Sequence, residues 1–412
     1  MKIAFLLPQN VIGGGALVVY EHARHLKNCG HEVLIIFRQY IPGRDGDFFS
    51  SYGLDHIPFD DADAKALQFD VIIATWWETF YDIFVFKANN YFYLTQDDER
   101  RFYEDAASFK VKFCDLTYKF PNIGAITISG WWQKQLIAEG NHVTKVAPNG
   151  YDGNLLKADN RKQNETGKLR VLIEGPGDTW FRRIEDCFKA TAGLENIEVW
   201  FKSRGNFLDP SWKFDKIFYN VSATEMKEIY SQCDVLLKMS EIEAFCLPNL
   251  EMMATGGTII TTDFTGHEEY AVNGVNSIVI GKRDIEAART ALIQLRDDRT
   301  LLLRLQQAAL QTAQKMTWEK QTPGFEKALM ELLDTFKNYD YTAEKRLILK
   351  LREIKLALEV TLKAEEKLRT DYDALFEQHH RTEYSVFRYL GRVVYRLPIA
   401  GSLLRTLFKS KS

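Results

Sequence analysis

The hydrophobic positions of the chain fall into short continuous runs separated by stretches of helical spacing. Apolar runs stand at 2–8 (KIAFLLP), 32–37 (EVLIIF), 69–77 (FDVIIATWW), 91–96 (YFYLTQ) and 124–129 (GAITIS). Runs that are continuous rather than alternating suit strands buried on both faces. Between the first two, Ala16, Val19, Tyr20, Ala23 and Leu26 share one helical face, and Gly30 supplies a stop. The order strand, glycine turn, helix, strand predicts a parallel, doubly wound α/β sheet. Residues 153–168 then turn polar and read as a linker. A second alternating series starts at 169–177 (LRVLIEGPG) and continues through IEVWFKSRG, DVLLKMS, GTIITTD and NSIVIG. Two Rossmann-like domains are therefore expected, over 1–152 and 168–335, with a cleft between the carboxyl ends of their strands.

The pattern changes after about 340. Leu347, Leu351, Ile354, Leu358, Leu368, Tyr372 and Leu375 keep a 4-3 spacing interrupted by Thr361 and Glu365, which predicts a coiled coil or a long helical hairpin over 340–412. The final stretch carries six Lys or Arg and no acid, with Arg388, Arg392 and Arg396 at four-residue spacing among large apolar residues. Such a segment can lie on an anionic membrane surface or pack on the body with a solvated basic edge, and both readings stay open. The tail is thus a candidate for homodimer formation or peripheral membrane contact.

Composition narrows the class only modestly. With 46% apolar and 26% charged residues, the chain has the make-up of a globular protein, and a net charge of −3 implies no attraction to nucleic acid. Five scattered cysteines and eight dispersed histidines lack metal-ligand spacing in the sequence, so no metal is expected. The opening MKIAFLLP reads as a first strand, no run reaches about 18 apolar residues, and a cytosolic location is expected.

The candidate chemistry sits at 240–257, SEIEAFCLPNLEMMATGG. A buried strand (234–239) leads into a loop and then a short helix opened by Pro248 and ended by Gly256 and Gly257. With Pro248 first in the helix, the capping position falls on Leu247, which has no side-chain acceptor. The free amides of that helix start would suit a phosphate. Glu251 lies one turn in and Glu243 on the loop before it. Gly13, Gly14 and Gly15 follow the first strand, but GGGALV lacks the third spaced glycine of a dinucleotide fingerprint, which argues against a nicotinamide dehydrogenase.

The ordered string EAFCLPNLE, MMATGG and TIITTDFTGHEEYAVNGVNSIVI resembles the family-four retaining glycosyltransferases, which have the two-domain GT-B fold, over about residues 1–335. QDDERRFY (96–103) and PNGYD (148–152) look most like members acting on bacterial polysaccharides, rhamnosyltransferases among them. The resemblance implies that Glu243 binds donor-sugar hydroxyls, that Glu251 holds the nucleotide ribose, and that the amides of Phe245, Cys246 and Leu247 face the phosphates. It also brings the loop with Gly14 and Gly15 to the donor. The chain departs from the family at Ala244 and Cys246, where glycines are usual, and at Pro176, where an arginine is usual. The cations that replace that arginine are ranked Arg183, Lys202, Arg182, Lys238 and Arg204, so Glu243, Arg183 and Lys202 head the catalytic set. On the acceptor side stand Trp76, Trp77, Gln96 and Asp97, with Trp131 and Trp132 after the next strand. Asp97 is the substitute for a histidine that relatives carry near 76–78.

The implied activity is transfer of a hexose or deoxyhexose, rhamnose included, from a nucleoside-diphosphate sugar to a growing, lipid-linked glycan. Configuration is retained, and neither a metal nor a cofactor is needed. Two alternatives remain: a degenerate scaffold acting through its coiled tail, and a GT-B nucleotide-sugar epimerase or phosphorylase.

Overall fold

The computed structural model describes residues 1–378, apart from 12, 43–49, 62–64, 107, 162–166, 204 and 206; of residues 160 and 372–378 only the backbone is described. Strands β1 (Lys2–Gln9), β2 (Glu32–Gln39), β3 (Asp55–Pro58), β4 (Gln68–Ala74), β5 (Lys87–Thr95), β6 (Gly124–Thr127) and β7 (Thr144–Val146) form a seven-stranded parallel sheet in the order β3-β2-β1-β4-β5-β6-β7. Strands β8 (Leu169–Glu174), β9 (Ile197–Ser203), β10 (Lys216–Tyr219), β11 (Val235–Lys238), β12 (Thr258–Thr262) and β13 (Ile278–Ile280) form a six-stranded parallel sheet in the order β10-β9-β8-β11-β12-β13. β8 and β12 are buried along their whole length, as strands covered by helices on both faces are, and their Arg170, Glu174 and threonines are buried with them. β3, β7 and β10 were absent from the pattern reading; β3 and β10 are four-residue edge strands with half-exposed centres, so no apolar run marks them.

Helices α1 (Gly14–Asn28), α2 (Trp77–Phe80), α3 (Phe109–Thr117) and α4 (Gly130–Ala138) serve the first sheet. Helices α5 (Ile184–Thr191), α6 (Ala223–Gln232), α7 (Leu247–Ala254), α8 (Ile285–Asp297) and α9 (Arg299–Ala313) serve the second. Strand order reverses between β1 and β4 in one sheet and between β8 and β11 in the other. Such a reversal leaves a crevice outside the carboxyl ends of the strands. The register pairs Glu174 with Lys202 and Lys238 with Thr261, so charged groups end up side by side at that crevice.

The next helix, α10 (Trp318–Thr335), packs differently from its place in the sequence. The chain crosses back where Tyr151 donates its amide to Met316 and accepts from Trp318. α10 then covers the first sheet: Phe325 stacks on His22 at 4.1 Å, and Leu332 and Phe336 press on Gly124 so closely that a Cβ there would lie 2.9 Å from each. Burial drives the pKa of His22 down to about 3, so its ring stays neutral. The segment assigned from sequence to the end of the second domain thus completes the first. Part of the linker is also anchored, since Arg161 reaches the Cys233 carbonyl and Asp234.

Residues 340 onward form a separate unit, in which α11 (Thr342–Gln378) is one uninterrupted helix. It spans roughly 55 Å. Leu347 and Leu368 of the expected seam are exposed. The basic stretch with Arg388, Arg392 and Arg396 lies outside the described residues. Among the described residues, no helix is long and apolar enough to cross a membrane.

Candidate active site

The second sheet delivers a buried charged network to the crevice. Glu174 ends β8 and Lys202 lies near the end of β9, and the Lys202 ammonium donates to the Glu174 carboxylate at 2.9 Å. The other Glu174 oxygen accepts from the Tyr230 hydroxyl at 2.8 Å, and that hydroxyl also lies 3.0 Å from Glu251. One phenolic proton cannot satisfy both carboxylates at once, so the trio has hydrogen-bonding capacity in reserve. Burial pushes the Glu174 carboxyl up, but Lys202 and Lys238 outweigh it and hold the group below its usual range. Burial and the two carboxylates hold the Tyr230 phenol far above its usual range, so it keeps its proton and donates to a carboxylate. Lys238, at the end of β11, is buried and donates to the Glu174 carbonyl at 3.0 Å. Its own pKa is lowered, chiefly by burial, with Arg182 adding repulsion.

Beside this network the loop 240–246 presents Glu243. Its carboxylate forms an ion pair with Arg182, accepts from Ser240 at 3.3 Å and lies 3.9 Å from the Lys238 ammonium. The loop turns sharply at Cys246, which adopts φ 62° and ψ 79°. That is left-handed backbone, which a side chain tolerates poorly. Because the turn falls there, α7 starts at Leu247 rather than Pro248, and the capping position moves from Leu247 to Cys246. Tyr270 fastens the loop by donating to the Phe245 carbonyl at 2.6 Å. Gly266, at φ 99°, lets the following turn lie against the Ala244 carbonyl, where a Cβ would be well inside contact distance. The amides of Phe245, Cys246 and Leu247 have no acceptor among the described residues, as a loop kept for an anion would require.

Adjacent arginines part company. Arg182 turns into the site, whereas Arg183, itself left-handed at φ 52°, pairs with Asp186 at 2.7 Å and with Glu241 at 3.4 Å. Glu241 is held from its other side by Arg283 at 2.6 Å. The structure therefore brings together Glu243, Glu251, Lys202, Lys238 and Arg182, and places Arg183 in a neighbouring ion-pair cluster. Arg204 lies outside the described residues. Glu174 and Tyr230, which the sequence reading did not select, bridge the two named glutamates. Only the strand register and the approach of α6 expose them.

The first sheet meets the same crevice with other groups. Gly14 faces Leu247 across it, with 3.9 Å from the place of its missing Cβ to the leucine methyl, and Gly15 accepts from Gln96 at 2.9 Å. Asp97 is buried, and burial raises its pKa to about 7 even though Arg101 lies 3.4 Å away and Arg182 is also near. Arg101 crosses the crevice to Thr265 at 2.6 Å, and Thr265 in turn donates to the Glu243 carbonyl at 3.2 Å. Glu269 accepts from the Gly130 amide at 2.7 Å, capping α4 of the opposite half. Trp76 is half-buried and stacks on Phe102, which meets Phe181 of the other half at 5.6 Å. Trp77 is wholly buried, with its indole donating to Tyr103, and Trp132 is equally buried. Trp77 therefore packs the core and has no surface for a sugar. Two cavities flank these bridges. One, of about 520 Å³, is lined by Phe102, Lys110, Trp180 and Phe181; the other, of about 380 Å³, by Arg101, Trp131, Glu241 and Lys282. Glu243 and Glu251 line neither of these two.

Comparison with known proteins agrees with this architecture. No curated protein sequence matches the chain significantly. Among solved structures, HepE of Anabaena, determined with UDP-glucose, is 14% identical with a TM-score of 0.66, covering 80% of this chain and 100% of its own. Sucrose-phosphate synthase of Thermosynechococcus elongatus is 16% identical with a TM-score of 0.65, covering 81% of this chain and 100% of its own. The lipopolysaccharide outer core galactosyltransferase WaaB is 14% identical with a TM-score of 0.61, covering 80% of this chain and 99% of its own. The fold is therefore GT-B, and residues 216–312, which hold Tyr230, Lys238, Glu243 and Glu251, match the family described as glycosyl transferases group 1.

Proposed function

We propose that the protein moves a hexose or deoxyhexose from a nucleoside-diphosphate sugar to a glycan acceptor, with retention of configuration. The observation that carries this reading is the convergence of Glu243, Glu251, Arg182, Lys202 and Lys238 on one crevice, with Lys238, Glu243 and Glu251 inside the segment that matches the glycosyltransferase family. Departure of a nucleoside diphosphate builds negative charge on the phosphates and positive charge on the sugar carbon. Arg182 and Lys238 stand where they can meet the first, and the open amides of 245–247 add donors. Arginine's planar fork suits the diphosphate, so Arg182 exchanges Glu243 for phosphate when donor binds. Glu243, released, accepts from sugar hydroxyls. Glu251 takes the ribose, with the Tyr230 hydroxyl keeping its proton and donating its hydrogen bond to Glu174.

Arg183 holds the loop through Glu241 and is a positioning residue in this scheme. Asp97, poised near neutrality, can donate to or accept from a sugar hydroxyl, and Trp76 and Gln96 lie on the acceptor side. The leaving phosphate itself takes the acceptor's proton in a front-face displacement, so no protein nucleophile is invoked. We assign the charge stabilisation to these side chains and the amides, and to no metal or cofactor. The acceptor is a growing lipid-linked glycan, with the tail at 340–412 keeping the enzyme near it by pairing subunits or touching the membrane surface.

Calorimetric titration of UDP, dTDP, GDP and ADP into the wild type and Glu251→Ala tests the reading. One nucleotide should bind at micromolar concentration, and the substitution should weaken it at least tenfold, about 1.4 kcal/mol. Silence across the panel would favour the scaffold alternative. Turnover of a sugar nucleotide without any glycan would favour an epimerase or phosphorylase.

A further inference from the structure

At the far end of α1 from the glycine loop, three metal-binding groups meet and a fourth lies beside them. The distance along the helix is roughly 17–22 Å. His25 and Cys29 stand one turn apart on the same face of α1, His31 lies just before β2, and Glu326 comes from α10. The Cys29 Sγ is 3.6 Å from His25 Nε2 and 3.3 Å from Glu326 Oε2. His25 Nε2 is 2.8 Å from the same carboxylate oxygen, and His31 Nε2 is 3.7 Å from the other. The donor atoms of His25, Cys29 and Glu326 all lie within 4.8 Å of one another.

We infer that His25, Cys29 and Glu326 form a binding site for a zinc-class divalent cation, with His31, beside the same carboxylate, swinging in to complete the shell, and that the cation staples the returning helix α10 to the first half of the molecule. A tetrahedral shell with bonds of about 2.0–2.3 Å places its ligand atoms about 3.3–3.8 Å apart. Among His25, Cys29 and Glu326 Oε2, two of the three separations fall in that range, while the 3.7 Å of His31 is measured to the other carboxylate oxygen. The third, His25 to Glu326, is the hydrogen bond that a cation replaces by a small opening of the two side chains. Two imidazoles, a thiolate and a carboxylate suit zinc better than magnesium or calcium, which prefer oxygen alone. A thiolate and a carboxylate also neutralise its two charges. Binding displaces the thiol proton of Cys29 to solvent. The exposure of Cys29 and partial exposure of the other three leave the site open to a metal from solution.

This inference is independent of the transfer reaction, because none of the four residues touches the crevice groups. Its test uses the untagged full chain stripped with chelator, titrated with zinc by calorimetry and with cobalt(II) by absorption. One equivalent of zinc should bind at micromolar concentration or tighter and raise the melting temperature. Cobalt should show a thiolate charge-transfer band. Cys29→Ser should abolish that band and weaken zinc at least tenfold, and His31→Ala should weaken zinc by a similar factor, while nucleotide binding is unchanged in both. Absence of saturable binding would overturn the inference. So would zinc binding that is indifferent to both substitutions, since the metal would then sit elsewhere.

Discussion

The first sheet reaches the crevice through Trp76, Gln96, Asp97 and Trp131, whereas the second reaches it through Glu174, Lys202, Lys238, Glu243 and Glu251. The topologies are close relatives, yet one edge is aromatic and sparsely charged and the other is a buried ion network that is paired before any ligand arrives. Paired buried charges are expensive to assemble and more expensive to break. The second half is therefore fixed in geometry by its own electrostatics, while the first is free to vary its aromatic contacts. A preformed cationic edge suits a ligand common to many reactions, such as a diphosphate. An aromatic edge suits ring faces, with little charge specificity.

The sharpest way to break this contrast is Lys202→Met. Removal of one partner leaves Glu174 charged and buried, and stability should fall by roughly 3–5 kcal/mol. The paired change Lys202→Met with Glu174→Leu should recover most of that loss, although nucleotide binding stays weak. Trp76→Ala, on the other edge, should cost no more than about 1 kcal/mol, because its stacking partner Phe102 remains and the site is half-exposed. Urea unfolding of the four proteins checks the set. Equal losses at Lys202 and Trp76 would remove the distinction between the edges.

Asp97 adds a pH-dependent difference. Its folded pKa of about 7 lies above the ordinary 3.8, so the folded state holds its proton more tightly than the unfolded chain. The stability this contributes is complete below about pH 4, declines as pH rises, and is gone above about pH 7. Compared with Asp97→Asn, the wild type should lose about 3 kcal/mol between those limits. Unfolding of both proteins at pH 4.5 and pH 8 measures the difference directly, and a gap independent of pH would mean that Asp97 is ionised in the folded protein.

Gly266→Ala should cost about 2 kcal/mol or more, since the new Cβ meets the Ala244 carbonyl in left-handed backbone. The loss should also appear in nucleotide affinity, because Ala244 belongs to the loop that carries Glu243. A variant that is less stable but binds normally would separate the loop's packing from the site.

Much of this was legible in the sequence, and the limits have physical causes. The buried strands announced themselves because both faces are covered, and Glu243, Glu251, Lys202 and Lys238 followed from strand ends and a helix start. The ranking of Arg183 above Arg182 had no way to register that a single left-handed residue turns Arg182, not Arg183, toward Glu243. Glu174 was invisible for a related reason: its role comes from register against Lys202, not from neighbours in the chain. Trp77 was read as a ligand platform, but the strand ends three residues earlier and α2 turns its ring into the core. His25 and Cys29 were counted as dispersed and Glu326 went unread because α10 crosses back from some 300 residues away, a contact that no spacing rule can show.

The smallest expected effect concerns Cys246. Its left-handed backbone costs about 1–2 kcal/mol relative to glycine, while its buried thiol contributes packing beside Lys238 that glycine would forfeit. Burial raises the thiol's pKa and Lys238 partly opposes that, so the group is a small neutral filler rather than an ion. Cys246→Gly should therefore leave stability within about 1 kcal/mol of the wild type, because the relieved strain and the lost contact nearly cancel. Nucleotide binding is the discriminating readout. If the turn is already in the shape the phosphates need, affinity should stay within about threefold. A large gain would mean that the cysteine holds the loop away from its binding geometry and weakens the second half's preformed edge. A large loss would mean that the thiol fixes Lys238 in place, making the cysteine part of the network rather than a tolerated departure from glycine.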